Sequence, residues 1–212
     1  MSDHDDFAFE PVPGLPANLP SGEQMLWQGQ PDTAALAREA FLIRWVMGYF
    51  VLLTTWRFGA AAADVALPQA AAIALPYLLL GVATVAILWL LARAQARATV
   101  YTITTARVVM RVGAALSVTF NLPYRQIGAA RLDLRKDGTG TVALELTSDT
   151  RLAYLVLWPH VRPWHLKHPQ PALRCIPDAA RVAKILAEAA ESRVSQPVVS
   201  RAGPAMNAVA AE

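Results

Sequence analysis

Two long stretches without charge dominate the pattern of the chain. Residues 65–92 form 28 consecutive uncharged positions between Asp64 and Arg93, and twelve more lie between Arg44 and Arg57. Since about 20 apolar residues cross a bilayer core as a helix, the longer run predicts a span over about Gln69 to Ala92, with Pro76 a candidate kink. The shorter run predicts a second span if Arg44 snorkels to the near headgroups. Asp32 or Thr33 caps that helix, which begins in Ala34–Glu39 and continues through Phe41 to Trp56. The alanine-rich stretch from Phe58 to Pro68 joins the two, so the expected unit is a transmembrane hairpin with both chain termini on one side.

After Arg97 the pattern shortens to β-rich runs: Thr99–Thr104, Arg107–Val112, Leu116–Leu122, Ala130–Arg135, Thr141–Thr147 and Leu152–Trp158. Turn-like separators lie at Thr105-Ala106, Gly113-Ala114, Asn121 to Pro123, Asp137-Gly138 and Ser148-Asp149, a spacing that suits an antiparallel sandwich or small barrel. Pro177 and Asp178 then open a helix in which Val182, Ile185, Leu186 and Ala189 recur at helical spacing. The fold class expected is α+β, a two-helix membrane hairpin plus a small antiparallel β-barrel capped by a C-terminal helix. The boundaries expected are a Pro-rich acidic tail with a Trp27 box over 1–33, the hairpin over 34–92, the β domain over 93–195, and a disordered tail over 196–212. Within the first of these, Gly22 to Pro31 reads as a short strand or docking segment, with Met25, Leu26 and Trp27 ended by Gly29 and Pro31.

Composition agrees with a membrane protein: 55% of the 212 residues are hydrophobic and 17% charged, far from the balance of a soluble domain. Charge is segregated, at −6 for residues 1–40, +1 for 41–92, +8 for 93–176 and zero for the rest. Arg38, Arg44, Arg93 and Arg97 flank the outer ends of the hairpin and Arg57 alone lies in its connection, so both termini are expected in the cytoplasm. The acidic opening, with Asp3, Asp5 and Asp6, lacks the basic region of a secretory signal. One cysteine, Cys175, makes no intramolecular disulfide and needs no oxidising compartment.

The run Tyr101-Thr-Ile-Thr-Thr-Ala-Arg-Val-Val-Met-Arg-Val-Gly113, followed by Leu122-Pro-Tyr-Arg-Gln-Ile127, resembles a bacterial pleckstrin-homology domain, as does the preceding Glu23 to Pro31 segment. That resemblance implies about seven strands and a C-terminal helix. A fuller one covers nearly the whole chain. Phe7-Ala-Phe-Glu-Pro-Val-Pro-Gly-Leu-Pro16, the Trp27 to Pro31 box, the two spans, Leu157-Trp-Pro-His-Val-Arg-Pro-Trp164 and Leu173-Arg-Cys-Ile-Pro-Asp178 look like the PuhB family of photosynthetic complex assembly proteins. It implies an accessory, non-catalytic role in the cytoplasmic or intracytoplasmic membrane of phototrophic bacteria, with subunits of the reaction centre and light-harvesting 1 complex as partners.

Candidate chemistry is sparse. His160, His165 and His168, with Cys175, match no common zinc frame, so neither a metal site nor a cofactor is expected. A proline-rich loop offering Trp158, His160, Arg162 and Trp164 to a partner is favoured, because Trp and Arg suit interface anchors. Trp27, Gly29 and Pro31 are placed with it as a second partner contact. Arg93, Arg97, Arg107, Arg111 and Arg125 suit an anionic membrane surface. No phosphate loop or nucleophile motif is present and no nucleic-acid motif accompanies the basic block, so an enzyme and a nucleic-acid binder are both disfavoured. Self-association is left open. The leading function is an assembly factor acting by protein contacts, and the alternative is a pleckstrin-like reader of anionic lipid or peptide unrelated to photosynthesis.

Overall fold

The computed structural model describes residues 14–15, 17–114, 116–147 and 152–195. The tail segment 1–13, the Ser148-Asp149 turn and the tail after 195 lie outside them. Among the described residues, β1 (Met25–Gly29) comes first and is followed by three helices, α1 (Thr33–Glu39), α2 (Ile43–Ala62) and α3 (Leu67–Ala98). Next come β2 (Val100–Thr104), β3 (Arg107–Val112), β4 (Val118–Pro123), β5 (Ile127–Leu134) and β6 (Gly140–Leu146). A single helical turn, α4 (Tyr154–Leu157), precedes β7 (Ala172–Ile176), and α5 (Ala179–Val194) closes the domain.

Among the described residues the seven strands do not close into a barrel. They form two antiparallel sheets, β1-β2-β3-β4 and β5-β6-β7. After β4 the chain leaves the first sheet through a 3-10 turn at Tyr124–Gln126 and begins the second. Tyr101, Ile103, Val108, Met110, Leu122, Val142, Leu144 and Leu173 fill the space between the sheets, and Val182, Leu186 and Ala189 of α5 complete that core. The strand expected at Leu152–Trp158 is instead the turn α4. A short apolar run such as Tyr-Leu-Val-Leu does not distinguish strand from helix by periodicity alone.

The first predicted span is divided. Asp32 caps α1 by accepting from the Ala35 N–H at 2.7 Å, but Leu42 takes the left-handed conformation (φ 52°) and turns the chain before α2. The break lets α1 lie against the end of α3, with Ala35, Leu36, Ala37, Ala92, Ala96 and Cys175 in a second apolar cluster. The small alanines permit that approach. The α2 and α3 helices pack side by side, joined by residues 63–66, and α3 is helical through Pro76. Among the described helices, α3 alone is long and apolar enough to cross a membrane. Arg44 and Arg57, with Thr54, Thr55 and three Trp or Tyr side chains, lower the hydropathy of α2.

Candidate functional site

Where α3 leaves its last turn and becomes β2, a buried polar chain ties the helices to the sheets. The Arg174 backbone N–H donates to the Tyr101 hydroxyl oxygen at 3.2 Å, and Tyr101 lies 2.6 Å from His160 Nδ1. His160 Nε2 lies 2.9 Å from Thr99 Oγ1, whose own proton goes to the Gln95 carbonyl in α3 at 2.7 Å. Thr99 has one proton and spends it on Gln95, so His160 carries its proton on Nε2 and accepts from Tyr101 at Nδ1. Arg174 extends the chain, donating to the carbonyls of Pro159 at 3.0 Å and of Glu39, the last residue of α1, at 2.9 Å. His160 is fully buried. Burial, with the charge of Arg174 adding to it, pushes the His160 imidazole down to about 3, so it is neutral at neutral pH. Burial likewise raises the Tyr101 phenol above its ordinary value. His160 therefore joins parts of its own chain, and its predicted place on a partner surface is corrected: both ring nitrogens are taken inside the domain.

The Trp27 box is docked on its own domain and only partly buried. β1 pairs with β2, Trp27 packs against the main core, and a Cβ at Gly29 would collide with the Trp27 ring. Pro31 is buried. Just upstream, Glu23 receives both Arg107 Nε at 2.8 Å and Arg107 Nη2 at 2.7 Å, and the Thr104 hydroxyl donates to it at 2.6 Å. The Arg107 bond holds the Glu23 carboxyl below the usual carboxylate range, against the upward pull of burial. This pair latches β1 onto the β2-β3 hairpin. Glu23→Gln is expected to lower stability by about 1–2 kcal/mol, read as a fall in thermal midpoint at neutral pH that shrinks as the pH drops beneath the ordinary carboxylate value and is gone only below the depressed folded one.

The five arginines assigned to a membrane surface separate. Arg107 is committed to Glu23, and Arg111 is buried on β3; both are withdrawn from direct lipid contact. Arg97 and Arg125 are exposed, and Arg93 is half-buried with its guanidinium 5.5 Å from the centre of the Trp89 ring. In the proline-rich loop, Trp158 sets its ring edge-on to Phe41 at 5.2 Å and Arg162 binds Gln170 at 3.0 Å. Trp164 is 90% exposed with φ 64°, a left-handed conformation that costs a side chain about 1–2 kcal/mol.

Beside that loop a cleft of about 560 Å³ opens on the outer face of the second sheet. Arg131, Arg135, Arg162 and Arg174 outnumber Glu39 and Asp133 around it. Arg135 gives Nη2 to Thr141 at 3.1 Å, and its Nη1 is buried without a hydrogen-bond partner. A carboxylate or phosphate oxygen is the acceptor that suits such a donor. Among the described residues, no three His, Cys, Asp or Glu side chains stand together as metal ligands. His165 Nδ1 faces the Pro163 carbonyl at 2.8 Å.

The pattern that defines the bacterial PH domain matches residues 42–190, from the start of α2 to within α5. The chain belongs to the bacterial PH domain family. It is also similar to an uncharacterized 23.7 kDa protein in the puhA 5′ region of Rhodobacter capsulatus, at 51% identity over 215 positions and 99% of each chain. No solved structure matches it. In this bacterial PH domain chain the buried network also uses Thr99, Tyr101 and Arg174, and the cleft uses Glu39, Arg131 and Arg135, none of which stood out in the sequence. The spacing of Thr99 and Tyr101, two apart in extended backbone at the start of β2, was the one local signal. Their partners lie 59 to 73 residues away.

Proposed function

We propose that this bacterial PH domain protein is a membrane-anchored assembly factor for the photosynthetic reaction centre and its light-harvesting 1 complex, working by protein contact and not by catalysis. The observation that carries this reading is the 51% identity, across 99% of both chains, with a protein placed beside puhA in Rhodobacter capsulatus, a photosynthesis-gene context. The PuhB-like opening and the Trp-Pro loop add to it.

On this reading α2 and α3 both cross the inner or intracytoplasmic membrane, with both termini cytoplasmic. The 20 residues of α2 give about 30 Å of helix, the thickness of the hydrocarbon core. Arg44 lies at its cytoplasmic end, and Arg57 at the other, where its guanidinium is 5.5 Å from the centre of the Tyr77 ring. Arg38, Arg44, Arg93 and Arg97 against Arg57 alone follow the bias of cytoplasmic flanks. Between the helices an apolar groove of about 710 Å³, lined by Ile43, Met47, Phe50, Leu78, Gly81 and Trp89 among others, suits a transmembrane helix of an incomplete complex. The arginine cleft suits a carboxylate on the soluble face of the same partner. The alternative lipid or peptide reader, built on Arg107, Arg111 and Arg125, loses one cation to the Glu23 ion pair and one to burial.

Deletion of the gene in a phototrophic host tests the proposal. Reaction-centre and light-harvesting 1 absorption bands are expected to fall several-fold and to return with the gene supplied in trans; normal accumulation of both would overturn it.

A further inference from the structure

The end of the β domain nearest the helices carries large apolar side chains that nothing among the described residues covers. Thr99 alone separates α3 from β2, so Val100 marks the near end of the first sheet and Thr104 the far end. Val100 pairs with Arg111 and Val112 with Val118, which brings the β3-β4 connection to the near end, where Leu116 is 84% exposed. The loop from α4 to β7 reaches the same end, held by His160 against Thr99 and by Trp158 against Phe41, two residues before α2. Leu155 of α4 is 85% exposed, and Val156 beside it and Trp164 and Leu166 on the loop also stand open. Exposed Arg97 and Lys167 accompany them. Tryptophan and leucine tips mixed with cations are the composition of the headgroup layer of a bilayer.

We propose that Leu116, the α4 side chains Leu155 and Val156, and the loop side chains Trp164 and Leu166 form a third membrane contact, lying in the headgroup layer of the bilayer that the helices cross. The proposal rests on the membrane reading above and goes beyond it, because it takes these side chains away from any protein partner. The strained, open conformation of Trp164 then has a purpose: the ring is turned out of the domain and into the lipid interface. The contact fixes the tilt of the β domain on the membrane and holds the arginine cleft next to the surface, since Glu39 in its wall is four residues from the start of α2.

The test uses the full chain in nanodiscs of mixed phosphatidylglycerol and phosphatidylcholine, with an environment-sensitive fluorophore on single introduced cysteines. Native Cys175 is buried and its thiol is pushed up to about 11 by that burial, so it stays unreactive. Labels at L116C, L155C and L166C are expected to shift to the blue and to lose fluorescence in discs whose lipids are brominated near the carbonyl end of the acyl chain. A label at Q24C, beside Thr105 at the far end, is expected to do neither, and L79C, exposed on α3, to be quenched by deeply brominated lipid. Loop labels in water with L79C in lipid would overturn this inference and leave the membrane reading standing. L79C in water would overturn both, and quenching of Q24C equal to that of the loop would remove the distinction between the two ends and overturn the inference.

Discussion

Replacing His160 with alanine is expected to destabilise the folded protein by about 3–5 kcal/mol, the range for losing a buried side chain together with its hydrogen-bond network. The ring is fully buried and satisfied at both nitrogens. Its removal leaves a cavity and strips partners from the Tyr101 and Thr99 hydroxyls, neither of which reaches water. It also unties the Pro-rich loop from α3. Thermal unfolding in detergent, followed by near-ultraviolet circular dichroism, should show a midpoint lowered by roughly 6–20 degrees. Proteolysis within residues 154–168 should quicken in step. An unchanged midpoint would refute the network as a structural joint.

The same residue sets a pH dependence whose sign follows from its lowered affinity for protons. Folded His160 titrates near 3 and an unfolded histidine near 6.5, so above 6.5 neither form binds a proton and stability is flat. Below 6.5 the unfolded chain gains a proton that the folded chain refuses, and stability falls by at most about 1.4 kcal/mol per pH unit until the folded value is reached. Between pH 7 and pH 5 the expected loss is about 2 kcal/mol. His160→Asn keeps an acceptor for Tyr101 and removes the titration, so its profile should be flat across that window. The Glu23 contribution falls lower: its folded affinity for protons is depressed, so its stabilisation is present above the ordinary carboxylate value and lost as pH drops beneath it.

What could be read from the chain in advance follows where each signal resides. The charge-free run between Asp64 and Arg93 needs no partner to be understood, and α3 covers it from Leu67 onward. β2, β3 and β6 lie within one residue of their expected limits, because apolar alternation and the Asp137-Gly138 turn are local. β7 escaped because Leu173 and Ile176 face the main core while Cys175 faces α1. A strand covered on both faces loses its alternation. His160 read as a surface residue among prolines, yet what buries it comes from Thr99, Tyr101 and Arg174. Arg107 read as a lipid contact, yet its carboxylate partner is Glu23, 84 residues earlier. Local pattern carried the elements. Pairing across the chain decided which polar groups were free to act, and that left the exposed loop and the arginine cleft in place of the residues first favoured.

Gly81→Leu is expected to abolish the assembly activity proposed here while leaving the β domain folded. A glycine inside a helix costs about 1 kcal/mol relative to alanine, and here close packing offsets it: a Cβ at Gly81 would lie 2.7 Å from Phe50 Cβ on α2. The leucine must therefore push α2 and α3 apart, at about 1–3 kcal/mol for an overpacked contact. Lipid offers no hydrophobic drive to pull the helices back, so the groove walled by Phe50 and Gly81 would lose its shape. In a deletion strain carrying this variant, reaction-centre absorption should stay near the deletion level although the protein accumulates in the membrane. Adding Phe50→Gly removes both the Cβ and the ring that the leucine meets and should recover part of the absorption, which simple misfolding would not predict. Full complementation by Gly81→Leu alone would mean that the groove between the helices is not where the partner is held.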